Sequence, residues 1–273
     1  MAGFREAGAL TGVILAAIAP AALAALGAPG AGYGAFGLLL AALCLIIWAA
    51  SRSLWRLPAV AGSRLSLPAL RDTGATRLLM LALVNSLPVA ITATLFLFFV
   101  SDYLLLPEMA GGFLLLFFLA AGLSVPFWTR ACAVFGPRRV LVPAMTLAVL
   151  SFLGAAMLEP GAAAAFAVIC LASGAALGAD MVILPVLFST ALARAGLQAG
   201  TAFGLWSFAG KLSLACAAAA LLPLLELTGF RPGHANSAAA LTTLTLAYAV
   251  LPCLIKLGAI ALVFRLPQEV PQS

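Results

Sequence analysis

Three charged residues stand inside long apolar runs, where charge is costly. Lys211 follows Phe203-Gly-Leu-Trp206-Ser-Phe208-Ala-Gly, Asp180 follows Ala176-Leu-Gly178-Ala, and Lys256 follows Pro252-Cys-Leu-Ile. Counted along a helix at about 1.5 Å per residue, Lys211 lies roughly 16 Å from either end of its run. Asp180 lies roughly 10 Å and Lys256 roughly 13 Å from the nearer end. A charge at mid-span costs on the order of 2.5 to 3.5 kcal/mol on insertion scales, and a lysine stem recovers only part of that by snorkelling. Lys211 therefore needs a partner or a watery cavity. Asp180, on the preceding and antiparallel run, is about 6 Å shallower and within a lysine's reach, so the depths permit an Asp180–Lys211 pair. Such a pair serves either as a charged centre on a solute pathway or as a lock between two helices. Lys256 reads as structural, because no polar residue flanks it in sequence. Asn85 and Thr92, seven apart with Pro88 between them, share one helical face. They line a cavity, or they make interhelical hydrogen bonds worth about 0.6 kcal/mol each. Trp206 and Phe208 offer a stacking platform for a sugar ring, the alternative being ordinary packing.

The elements that carry these residues follow from composition. Of 273 residues, 65% are hydrophobic and 8% charged, against roughly 25% charged in soluble proteins. Mean hydropathy is +1.20. So few charges cannot cover a water-soluble surface, and the solvent is mostly lipid. Disordered tails, coiled coils and nucleic-acid-binding domains, which need dense charge, are excluded despite a net charge of +6. Eight stretches reach the about 20 residues that a spanning helix requires: 7 to 27, 31 to 50, 78 to 100, 110 to 128, 140 to 157, 163 to 187, 200 to 222 and 240 to 264. The fold class is an all-α polytopic membrane protein. Continuous runs such as Leu114 to Gly122 lack the alternation of a barrel strand. The long first run exceeds the apolar core of a signal peptide.

Basic residues orient the spans. With the N-terminus inside, Arg5, Arg52, Arg56, Arg64, Arg71, Arg77, Arg130, Arg138, Arg139, Arg194 and Arg265 fall on the cytoplasmic side and only Arg231 outside. Asp102, Glu108, Glu159 and Glu226 collect outside, and both termini are expected in the cytoplasm. The basic segment 51 to 77, with Pro58 and Pro68, reads as a cytoplasmic tether between two helices (1 to 50) and a bundle of six (78 to 273). Cys44, Cys132, Cys170, Cys216 and Cys253 have no regular spacing, and His234 is the one histidine. Neither a disulfide framework nor a metal site is expected. With a single intramembrane carboxylate, acid–base or metal-assisted enzyme chemistry is not expected either.

These residues also resemble a family. Gly178-Ala-Asp180, then Phe203-Gly-Leu-Trp206-Ser-Phe-Ala-Gly-Lys211-Leu, then Leu221-Leu-Pro-Leu-Leu-Glu-Leu-Thr-Gly-Phe230 resemble the last third of the glycoside-pentoside-hexuronide:cation symporters. That is the melibiose permease group of the major facilitator superfamily. Pro126-Phe-Trp128 and Phe135-Gly136-Pro-Arg138-Arg139 look like its cytoplasmic loop between the eighth and ninth helices. Arg5-Glu6 looks like the entry to the fifth helix, and Pro252 with Lys256 fits the twelfth. The resemblance implies eight helices corresponding to helices 5 to 12 of a twelve-helix fold, with 1 to 50 as a remnant of the N-terminal bundle and the first four helices absent. It implies sugar:cation symport of a glycoside, pentoside or hexuronide, in a bacterial plasma membrane, with Lys211 bridging to first-half carboxylates. Asn85, Thr92 and Trp206 would line the cavity. No cofactor is implied beyond a coupling Na+ or H+, whose site lies mostly on the missing helices, and the partners are the lipid bilayer and a separate N-terminal half. The stretch Leu187 to Gly196, read as the loop after the tenth helix, lacks the carboxylates that relatives carry there. The alternatives are a non-transporting remnant or assembly subunit of a split transporter, and a facilitator for a lipid-like substrate.

Overall fold

The computed structural model describes residues 2–27, 33–52, 75–194 and 199–264, with some side chains near the N-terminus and around 191–203 left aside. The expected tether at 51 to 77 falls almost wholly outside the described residues. The described chain is helical: α1 (Ala2–Ala25), α2 (Tyr33–Ser51), α3 (Ala75–Phe98), α4 (Ala110–Phe135), α5 (Pro137–Ala155), α6 (Ala163–Arg194), α7 (Ala199–Leu227), α8 (Ala238–Thr245) and α9 (Leu251–Phe264). A π-turn, Phe99–Tyr103, extends α3, and another, Leu246–Val250, joins α8 to α9 into one span. Seven helices among the described residues are long and apolar enough to cross a membrane. The first expected span, 7 to 27, falls on α1, half of whose side chains are outside the described set.

Contacts divide the chain into two compact units, Phe4–Arg64 and Met1–Gly3 with Leu65–Ser273. In the smaller unit α2 ends where the Arg52 guanidinium lies 4.9 Å from the centre of the Trp48 ring, a cation–π contact. The Ser51 hydroxyl donates to the Trp48 carbonyl at 3.2 Å.

In the larger unit α4 packs on α6, α5 on α6, α3 on α7, and α9 on both α3 and α5. Hydrocarbon removes the hydrophobic drive between helices, so close approach and interhelical hydrogen bonds hold such a bundle. The α4–α6 contact shows both. A Cβ at Gly174 would sit 2.3 Å from the Phe117 carbonyl oxygen, and one at Gly178 would sit 2.1 Å from Ser124 Oγ and 2.5 Å from the Ala121 carbonyl oxygen. Only glycine permits that approach. Above Gly174, the Ala175 carbonyl accepts from Ser124 Oγ at 3.1 Å and from Trp128 Nε1 at 2.7 Å.

The motif expected as a cytoplasmic loop is mostly helix. Pro126 and Trp128 lie within α4, and Arg138 and Arg139 within the first turns of α5. Only Gly136 separates the two helices, at φ +83°, a left-handed conformation that suits glycine. The helix runs on because neighbouring helices accommodate an internal proline in a membrane bundle. Arg138 Nη2 donates to the Phe264 carbonyl at 2.6 Å, capping the end of α9 with a cation. Of the expected loop after the tenth helix, the described part is helical too, since α6 continues to Arg194.

Buried apolar residues form two layers. One is rich in aromatic rings and includes Phe96, Phe99, Phe113, Phe166, Phe230 and Tyr248. Its centre is the Phe99–Tyr248 stack, with centroids 4.1 Å apart and planes at 11°, so the two π-turns face each other through their rings. The other layer holds Leu81, Trp128, Leu141, Met145, Ile183 and Phe188. Along α3, α6 and α9 the two layers are separated by polar residues.

Candidate functional site

The separating layer is built from three helices. Asn85 lies nine residues from Thr76, Asp180 ten from Thr190 and Lys256 eight from Phe264, the like-facing ends of their spans. At about 1.5 Å per residue all three reach roughly the same depth, 12 to 15 Å. Lys256 Nζ donates to Asn85 Oδ1 at 2.6 Å and to Asp180 Oδ2 in a short ion pair. Asn85 and Lys256 are 4% exposed and Asp180 8%, so the charges are sealed from lipid and compensate each other. Breaking one partner of such a pair leaves an uncompensated charge.

One atom remains unmatched. Asp180 Oδ1 is buried and has no hydrogen-bond partner. An ammonium has three donors, and two of those on Lys256 are used. Beside the pair lies a cavity of about 30 Å³ lined by Pro88, Thr92, Phe117, Phe152, Ser173 and Cys253 with Asp180 and Lys256. It is narrow, with room for water rather than for a whole ring. Thr92 Oγ1 donates to the Pro88 carbonyl at 3.0 Å and Ser173 Oγ to that of Ile169 at 2.6 Å. Both hydroxyl oxygens keep acceptor capacity toward the cavity.

The Asp180–Lys211 pair that the depths permit is not formed, Asp180 pairing with Lys256 instead. Lys211 is exposed on α7 and has no ion-pair partner among the described residues. The reason is packing: α7 lies chiefly along α3, through the buried stripe Ser213, Ala217, Leu221 and Leu225. Ser213 Oγ reaches the Leu83 carbonyl at 3.3 Å. Lys256, read from sequence as structural for want of polar neighbours, is the partner, because its neighbours come from other helices. Equality of depth was the available signal, since Lys256 and Asp180 differ by only about 3 Å in the sequence count. Asn85 does meet the charged pair, and Thr92 lines the cavity beside it. Trp206 does not, as its ring packs against Phe188 with centroids 4.9 Å apart. Phe208 is exposed. Among the described residues no three His, Cys, Asp or Glu side chains gather into a metal site.

Long apolar helices packed through glycines, around an ion pair shielded at mid-span, define a polytopic α-helical membrane protein with a charged interior. A match to the family described as MFS/sugar transport protein covers residues 1–269. The chain belongs to that family, a sugar transporter group of the major facilitator superfamily. No curated protein matches it significantly.

Proposed function

We propose that the chain works in sugar:cation symport of the melibiose permease type, moving a glycoside, pentoside or hexuronide together with Na+ or H+ across a bacterial plasma membrane, both termini being cytoplasmic. The observation that carries this reading is the buried, incompletely matched Asp180–Lys256–Asn85 centre beside a cavity, in a chain of a sugar transport family. Intramembrane ionisable groups facing a bundle interior mark substrate and ion pathways. In this reading the six-helix unit rocks against an N-terminal bundle around a midplane site. Lys211, exposed on α7, is the cation presented to carboxylates of that bundle.

The test is uptake into proteoliposomes containing the chain, alone and with a co-expressed four-helix N-terminal partner. Labelled methyl α-D-galactopyranoside, methyl β-D-xylopyranoside and D-glucuronate are offered under an imposed Na+ or H+ gradient. Symport gives accumulation above equilibrium that collapses with the gradient. Equilibration without accumulation, or no uptake by folded protein, rejects it.

A further inference from the structure

We infer that Asp180 Oδ1 and the spare donor of Lys256 form a receptor for a single hydroxyl group of the sugar, with Thr92 and Ser173 flanking it. This rests on the sugar-transport reading and adds which atoms of the six-helix unit recognise the solute. A hydroxyl is both donor and acceptor. It therefore satisfies a lone carboxylate oxygen and an ammonium hydrogen at once, and it is the group of this kind that every sugar carries. The pair offers that combination: one buried acceptor without a partner next to an ammonium holding two acceptors, Asn85 Oδ1 and Asp180 Oδ2. A carboxylate ligand would repel Asp180, and an ammonium ligand would compete with Lys256.

Size gives the same answer. The cavity admits a water-sized group, so a hydroxyl or hydroxymethyl arm enters while the ring stays at the mouth. The walls from Phe117, Phe152, Pro88 and Pro252 are apolar and suit the C–H faces of such a ring. A sugar hydroxyl placed there satisfies both atoms, whereas a solute lacking it leaves buried polar atoms unmatched. Sites built to bind a hydroxyl reject its absence strongly.

The experiment is calorimetric titration of the chain in nanodiscs with the three sugars named above, followed by every monodeoxy analogue of whichever binds. One analogue should bind roughly ten- to a hundredfold more weakly to the unaltered protein, the range for a hydrogen bond to a charged group. In Asp180→Asn the parent sugar should weaken by a similar factor, and that analogue should lose nothing further. The neutral double variant Asp180→Asn/Lys256→Gln leaves no unpaired charge, so it guards against a fold lost in the single variant. It should behave likewise. Equal deoxy penalties in the unaltered and variant proteins, or unchanged affinity in both variants, would mean that the centre holds structural water only and would overturn the assignment. Absence of sugar binding to the unaltered protein would instead remove the sugar-transport reading, and this assignment with it.

Discussion

Lys256→Met is the most informative perturbation of stability. Methionine keeps the length of the lysine stem as far as Cε, with sulfur in place of Cδ, and removes the ammonium. The ammonium makes two charge-assisted hydrogen bonds, to Asn85 Oδ1 and Asp180 Oδ2, each worth about 1.5 to 3 kcal/mol. Its loss leaves both oxygens of Asp180 and Asn85 Oδ1 without partners in a layer sealed on two sides by apolar residues. The cost should be about 3 to 5 kcal/mol, the range for breaking a buried pair by removing one member. Asp180→Asn should cost less, about 1.5 to 3 kcal/mol, because the ammonium keeps Asn85 and gains an amide oxygen in place of Oδ2. The double variant Lys256→Met/Asp180→Asn carries no buried charge, and the two amides at 85 and 180 can pair. It should return to within about 1 kcal/mol of the parent. Thermal or denaturant unfolding in detergent of all four proteins measures the coupling. Additive losses, with the double variant the least stable of the four, would refute the claim that the two charges exist for each other.

Gly178→Ala should destabilise by about 1 to 3 kcal/mol, since its Cβ would meet Ser124 Oγ and the Ala121 carbonyl. Adding Ser124→Ala should not restore the parent's melting temperature, because the backbone oxygen remains, and full rescue would contradict the close-packing argument. Trp128→Phe should cost roughly 0.5 to 1 kcal/mol in the same assay, little enough because Ser124 still donates to the Ala175 carbonyl. Lys211→Gln should leave stability within about 0.5 kcal/mol, as expected for an exposed residue without a partner, while abolishing gradient-driven accumulation in proteoliposomes. Lost stability with intact accumulation would reverse the roles assigned to the two lysines.

Spans were easier to read than partners, for a physical reason. Hydropathy and charge are local, so α3, α5 and α9 begin or end within a few residues of where composition puts them. Helix ends are less local. Nothing in the run Pro126 to Phe135 stops a helix whose polar groups are satisfied internally, and α4 extends to the glycine at 136. The same holds for α6 beyond Leu187. Pairing is not local at all. Asp180 and Lys211 are neighbours in the order of helices, but α7 turns to α3, and the lysine that meets Asp180 arrives 76 residues later. Depth survives this uncertainty because it depends only on distance from a span end. By that count Asn85, Asp180 and Lys256 come to one level.

The polar contacts between helices show why that group is the adjustable one. Ser213 ties α7 to α3, Ser124 and Trp128 tie α4 to α6, Cys253 Sγ reaches the Val149 carbonyl of α5 at 3.4 Å, and Arg138 ties α5 to the end of α9. Each of these ends on a backbone carbonyl, an acceptor fixed by its own helix. The contact among α3, α6 and α9 is made wholly by side chains, each able to turn about its own bonds, and it retains a free acceptor. A hydrogen-bonding group entering the cavity can therefore draw Asp180 and Lys256 toward itself without breaking any backbone-anchored tie. In the proposed reading, coupling between solute and helix arrangement begins at this layer, while the aromatic stack on one side and the Leu81–Met145–Phe188 layer on the other keep their packing.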